Sequence, residues 1–395
     1  MLPTDSDLAN VAIPSAYGGA ESARGKHGTR LASYARFLRR GDPLADAAVE
    51  SLAPLGRAGA EQMIDRAVTE GIDAVTDAPE ALRALFAQLD HVPFWFDPDL
   101  ATLGGATFLR CRLGFLALAC MSLPLIYSWP VGNKPLALSG ELLHHAGPRL
   151  KQTTQFVYAV SQPDAVRRAG AGFRLIVRVR LMHAQVRRLL RGSGQWQEEA
   201  WGAPIDQCHT AGTNLLFSLG ALQGLERIGY LFNPVERAAV QHLWRYIGWL
   251  MGIDPELLPA DEPEAMRLLD LLFALEPTPD EDSRALAAAL AGAANTYLHR
   301  FCTLPPTVVH GITRALIGQE RADALGLPRT VWRWMVPLVR PATRLIERAR
   351  LVSPQVRALA RVAGPKAFRS LLGTRGLEGE CGEFHLPEHL RRGAG

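Results

Sequence analysis

The stretch "RVRLMHAQVRRLL", Arg178 to Leu190, places one histidine, His183, among apolar residues and arginines. Ile176, Val179, His183, Val186 and Leu190 recur at spacings of 3, 4, 3 and 4, which on a helix is one stripe facing a core. The imidazole therefore points inward. Arg180 and Arg187 stand one turn to either side, so a group bound to the imidazole has cations beside it. In "ELLHHAGPRLKQTTQFVYAV", Arg149 and Thr153 are four apart and share a face, with Gln152 next to them. In "WGAPIDQCHTAGTNLLFSLGALQGLERIGY", a Gly-Ala-Pro turn leads into a helix that presents Gln207, His209 and Thr213 before it turns apolar.

Each segment allows two readings. An inward imidazole flanked by arginines suits an axial ligand to haem iron, with the propionates held by guanidinium groups. It equally suits a core histidine held by hydrogen bonds. Arg149 suits a pocket cation or a partner for a surface carboxylate, and Thr213 a pocket hydroxyl or a back-bond to its own helix. His209, close to Thr213, is a further pocket candidate.

The rest of the chain narrows the chemistry. With 43 basic and 39 acidic residues, a net charge of +4 is too balanced for a nucleic-acid surface. Cys111, Cys120, Cys208, Cys302 and Cys381 are scattered with no CxxC pair, which argues against a disulfide framework, a zinc site or a haem-thiolate loop. His144 and His145 are helix neighbours pointing about 100° apart, so they chelate poorly. "GRAGA" and "AGPR" read as turns, not phosphate cradles, and no Ser-His-Asp arrangement or carboxylate pair competes. The N-terminal "MLPTDSDLANVAIPS" lacks a signal-peptide pattern, and the expected location is cytoplasmic.

The elements that position these residues are helical. Of the 395 residues, 48% are hydrophobic, and helical periodicity dominates while strand alternation is nearly absent, so the expected fold is all-α, one large domain. Residues 1–45 read as a loosely held arm, 46–328 as the helical domain, and 329–395 as a basic amphipathic extension and tail. Helices are expected near 137–161, 171–191, 207–230 and 234–252, the last with Asn233 as cap and Pro234 in its first turn. "LGFLALACMSLPLIYSW", Leu113 to Trp129, falls short of the roughly 20 residues of a membrane span and reads as a buried core helix. From Arg329 to Arg369, ten basic residues face a single acid, Glu347, and are interleaved with Trp332, Trp334, Met335, Leu338 and Leu345. That composition fits a helix pair packed on the body with a solvated basic face, or peripheral contact with an anionic membrane.

The order "GPRLKQTTQFV", "VRVRLMHAQVR", "WGAPIDQCHTAGTNLLFS", "AVQHLWRYIGWLMGID" resembles the latex clearing protein family of rubber oxygenases and their wider group, which includes a fungal enzyme cleaving a farnesyl chain. The resemblance runs from about Val92 to Leu327, and "RLMHAQVR" is its most specific block. It implies a globin-like core holding one haem b with His183 as proximal ligand, and Arg149, Thr153 and Thr213 as haem-pocket residues. The family's Arg-x-x-Lys-Thr motif has Gln152 here in place of its lysine, and Lys151 lies about 100° around the helix.

The implied activity is a haem-dependent oxygenase, with O₂ as co-substrate, that cleaves or oxidises C=C bonds of an apolar isoprenoid or polyene. In this reading Arg149, Gln152, Thr153, His209 and Thr213 serve catalysis, while Arg149, Arg180 and Arg187 accompany His183 at the cofactor. Without a secretion pattern, a small or membrane-borne molecule is expected rather than external rubber. A haem monooxygenase or peroxygenase of a secondary metabolite is the second reading, and a haem-free helical protein docking on membranes the third. Two ¹⁸O-labelled carbonyl products would separate the first from the second, and colour would exclude the third.

Overall fold

The computed structural model describes residues 13–139, 141–168, 170–298 and 305–372, the side chains of 139, 141–145, 297, 298 and 306 apart. Among them every regular element is helical, in agreement with the expected all-α class. The helices anticipated from periodicity are Glu141–Val160, Ala171–Gly192, Gln207–Ile228 and Pro234–Leu250. The last begins with a full capping box: Asn233 accepts from the Glu236 N–H while Glu236 accepts from the Asn233 N–H, with Pro234 in the first turn.

At the centre lies Gly114–Tyr127, the segment that falls short of a membrane span. It is almost wholly buried and is interrupted by a π-helical turn at Leu118–Ser122. A second π turn, Leu216–Gly220, interrupts the Gln207–Ile228 run and packs against the first. The two are stitched where Ser122 Oγ donates to the Leu216 carbonyl at 2.8 Å, satisfying a backbone acceptor at the widened turn. No single helix among the described residues is long and apolar enough to cross a membrane. The bent pair Pro98–Leu109 and Gly114–Tyr127, meeting at 93°, is apolar enough only when taken together, and most of its residues are buried in the core.

Close helix contact depends on small residues. A Cβ on Gly104 would stand 2.2 Å from the Ala239 carbonyl oxygen, and one on Gly105 2.2 Å from that of Ser161. Pro98–Leu109 and Pro234–Leu250 therefore pack backbone to backbone, which puts Phe108 in the core.

The N-terminal region departs from expectation. Between residues 13 and 45, expected as a loose arm, Tyr17, Leu31, Tyr34, Phe37 and Leu38 are buried in the same core as the main body. Backbone bonds tie it down: the Ser15 N–H donates to the Glu199 carbonyl, and the Gly19 N–H to that of Leu275. Glycine and serine content suggests looseness, but apolar residues spaced to face the body are enough to dock it.

The C-terminal extension forms the expected helix pair, Met335–Val352 and Pro354–Leu372. Its one acid is internal. Glu347 accepts from Arg110 Nη1 at 2.9 Å and Arg350 Nε at 3.0 Å, and Arg350 Nη1 reaches Glu236 at 3.1 Å. Both arginines also donate to the Leu231 carbonyl. Such a network, fully partnered at Glu347, fixes which face of the helix turns inward.

Candidate functional site

His183 lies midway along Ala171–Gly192, enclosed by protein yet with part of its surface still accessible. Burial above all, then the charges of Arg187 and Arg149, push its imidazole down to about 3, so it is neutral at physiological pH with a nitrogen lone pair available. The influence of Arg149 means that Glu141–Val160 brings its guanidinium near the imidazole, and the same charge acts on the buried phenol of Tyr127. Arg149, Gln152 and Thr153 on that helix are likewise only partly buried.

The flanking arginines differ from expectation. Arg180 and Arg187 are 2% and 3% exposed, among the most buried positions of their helix. Arg180 holds Asp42 in a bidentate pair, Nε to Oδ2 at 2.6 Å and Nη2 to Oδ1 at 3.1 Å, and also donates to Gln88 and to the Leu250 carbonyl at 3.1 Å. These bonds occupy four of its five N–H donors, so the structure places Arg180 as an internal brace and not, as expected, as a group open to a cofactor. Asp42 is at the same time the N-cap of Pro43–Leu52, accepting from the Ala45 N–H at 3.2 Å. Arg187 pairs through Nε with Asp46 at 2.6 Å and reaches the Ile205 carbonyl through Nη1 at 3.4 Å. Its Nη2 is buried without a partner. An orphaned guanidinium N–H one turn from His183 is the group a propionate oxygen would satisfy, so the residues present fit a haem.

His209 is not placed as a pocket base. Its Nδ1 lies 2.5 Å from Asp206 Oδ2 and its Nε2 2.8 Å from Glu276 Oε1, so both ring nitrogens are engaged and neither can bind a metal. Burial opposes its charge, but the two carboxylates outweigh it and raise the imidazole to about 10. Burial also raises the Glu276 carboxyl, against the downward pull of His209. Each imidazole nitrogen meets a carboxylate oxygen, which holds the ring in its charged form. Space there is tight: a Cβ on Gly132 would stand 2.5 Å from the His209 ring. The correction has a local cause. Asp206 caps Gln207–Leu215, accepting from the His209 N–H at 3.1 Å, and one turn of helix brings its other oxygen to the ring.

Thr213 sits half-buried farther along that helix. Gln207 is a cross-brace, donating to the Gly41 and Gly252 carbonyls and accepting from the Asp254 N–H. The Cys111 and Cys120 thiols are each pushed up to about 12 by burial, and that of Cys208 is also raised, so all three are protonated thiols at neutral pH. Cys302, Cys381 and the side chains of His144 and His145 lie outside the described residues. Sequence reasoning missed Asp42, Asp46, Asp206 and Glu276. The Asp-Pro of "GDPLAD" and the Asp-x-x-His of "DQCH" were cap signals, but nothing local reveals which distant cation an acid meets.

Three comparisons bear on this arrangement. A family model described as "ER-bound oxygenase mpaB/B'/Rubber oxygenase, catalytic domain" matches residues 109–383, a span that includes Arg149, His183, Arg187 and Thr213. A rubber oxygenase of Streptomyces sp. (strain K30) is 25% identical over 187 residues, 46% of this chain and 44% of that protein, so the alignment spans less than half of the relative's length. The solved structure of latex clearing protein LCP in the closed state has a TM-score of 0.61 at 19% identity, covering 85% of this chain and 90% of that one, and so shares its fold. With most of its length, the helices on both sides of His183 included, inside the matched span, this chain belongs to the family of ER-bound oxygenase mpaB/B' and rubber oxygenase catalytic domains.

Proposed function

We propose that the protein is a haem b-dependent oxygenase that cleaves or oxidises C=C bonds of an apolar isoprenoid or polyene with O₂. The observation that carries the reading is the pairing of a neutral, deeply placed His183 with an orphaned Arg187 Nη2 one turn away. Among the described residues no group of three or more His, Cys, Asp and Glu side chains could hold a bare metal ion. A lone imidazole suits an iron whose other ligands come with its macrocycle. Membership of an oxygenase family supports the reaction class, and a relative named rubber oxygenase supports a polyisoprenoid substrate.

Bound haem would supply the dioxygen chemistry, and the chain's own residues would do the rest. His183 offers a lone pair because burial and two arginines keep it unprotonated. Arg187 offers its free N–H to a propionate while Asp46 fixes the guanidinium. In this reading Arg149, whose charge acts on His183, and Thr153 on the same helix face would stand toward the haem and orient a polarised oxygen atom there. A surrounding of apolar side chains would keep the site poor in water and fit an alkene chain.

Absorbance of the purified, haem-supplied protein tests this. The expected result is a strong Soret band that His183→Ala largely abolishes while far-ultraviolet circular dichroism stays unchanged. Full haem retention by a folded His183→Ala protein would overturn the assignment. Two labelled carbonyls from ¹⁸O₂ would establish cleavage, and a single labelled hydroxyl or epoxide would show monooxygenation instead.

A further inference from the structure

Nine of the fifteen exposed large hydrophobic side chains among the described residues fall between Val331 and Val362. On Met335–Val352 and the turn before it, Trp334, Leu338, Leu345 and Val352 follow helical spacing along one outward stripe, with Leu338 77% and Val352 83% exposed. Ile346 stands beside the stripe, and Leu359 and Val362 extend it onto the next helix. This is not a core face turned the wrong way. Val336, Thr343, Glu347 and Arg350 form the buried face, and the Arg110–Glu347–Arg350–Glu236 network holds that face inward. The second helix is anchored at its far end, where Phe368 is buried and a Cβ on Gly364 would stand 2.0 Å from the Leu109 carbonyl oxygen.

The exposed charges that these two helices themselves carry around the stripe have one sign. Between Arg329 and Arg369 the only acid, Glu347, is internal, whereas Arg333, Arg340, Arg344, Arg348, Arg357 and Arg361 are exposed. Arg340 and Arg344 turn toward a cavity of about 330 Å³ that they share with Arg227, Tyr230 and Phe232. The one carboxylate lining that cavity, Glu226, is paired with Arg237. Three guanidinium groups around a cavity beside an apolar stripe match an anionic headgroup whose chains continue past the stripe.

We propose that the Met335–Val352 and Pro354–Leu372 pair is a docking surface for an anionic phospholipid bilayer, with Trp334, Leu338, Leu345 and Val352 entering the interface and Arg227, Arg340 and Arg344 holding a lipid phosphate. Exposed apolar area of this kind costs free energy in water and is recovered at the headgroup boundary, and each nearby cation adds attraction to a negative leaflet. A second copy of the chain is a poor occupant, since two such faces would bring cation against cation. The surface needs no haem and no turnover, so it stands or falls apart from the proposed reaction. It would set the molecule on the phase in which an apolar polyene dissolves.

Sedimentation of the full chain with vesicles tests the surface. Vesicles of phosphatidylcholine with phosphatidylglycerol should carry the protein down at low salt, and pure phosphatidylcholine vesicles should carry down at least about tenfold less. Leu338→Glu with Leu345→Glu should abolish binding to both. Arg340→Glu with Arg344→Glu should lower binding to the anionic vesicles by about tenfold or more and leave the melting temperature near that of the parent, because neither arginine belongs to the internal network. Three results would overturn the proposal: no sedimentation with anionic vesicles, equal binding of the parent and both pairs of variants, or a lipid-free dimer that the leucine variants dissociate, which would show that a second copy covers the face.

Discussion

Replacing His209 tests the buried charge cluster that holds Gln207–Leu215, the helix carrying Thr213. His209→Gln leaves Asp206 and Glu276, whose side chains are 4% and 2% exposed, without the cation between them. Removing one partner of a buried ion pair costs about 3–5 kcal/mol. That is a large share of a total stability of about 5–15 kcal/mol. Adding Glu276→Gln removes one stranded charge and should recover part of the loss. The cluster also sets a pH dependence. The folded imidazole titrates at about 10 against 6.5 in the unfolded chain, so its contribution is full below pH 6.5 and is lost as pH rises through about 10. Across that window the folded state holds up to one extra proton, a slope of about 1.4 kcal/mol per pH unit. Between pH 7 and 9 the parent should therefore lose about 2–3 kcal/mol more than the His209→Gln/Glu276→Gln protein. Urea unfolding followed by tryptophan fluorescence measures both quantities, and Trp129, with its ring 5.8 Å from that of His209, reports locally. A single-variant cost below about 1 kcal/mol, or the same pH slope in parent and double variant, would refute the assignment of an imidazolium shared by two carboxylates.

Glu347→Gln should destabilise the protein by about 3 kcal/mol or more, because it leaves the two buried guanidinium groups of Arg110 and Arg350 with Glu236 as their one remaining carboxylate; limited proteolysis should then cut first near residues 331–353. Arg149→Ala and Thr153→Ala should each keep the melting temperature within a few degrees and lower turnover at least about tenfold, roughly 1.4 kcal/mol of transition-state stabilisation. Unchanged turnover with haem retained would remove both from the reaction. In the haem-supplied ferric protein, Gln152→Lys should move the visible spectrum toward a low-spin form, whereas the parent should take up added imidazole or cyanide readily. A parent already fully low-spin without added ligand would show that another side chain closes that face.

Local patterns in the chain were enough to specify the helices. The 3-4-3-4 stripe through His183, the Asn233–Pro234 start and the breaks around residues 163 and 193 each follow from the neighbours within a turn or two, and the observed helices fall within a few residues of those expected. The block "RLMHAQVR" marked the helix, and its inward stripe marked the residue. What the chain could not reveal is which residues distant in sequence share a charge. Arg180 and Arg187 looked free because their partners, Asp42 and Asp46, lie more than a hundred residues earlier, at the boundary between the segment expected as a loose arm and the helical domain. His209 looked like a pocket base because Glu276, on another helix, became its neighbour only through packing. The strain at Ile205, a β-branched residue at φ +51°, belongs with these, since no local preference favours it and its carbonyl is turned to Arg187. Periodicity is a property of neighbours along the chain, and so the sequence determined the helices and their apolar faces. Ion pairing and burial depend on neighbours in space, and so only the tertiary structure decided that Arg180 is held by Asp42 while Arg187, paired with Asp46, keeps one buried nitrogen without a partner.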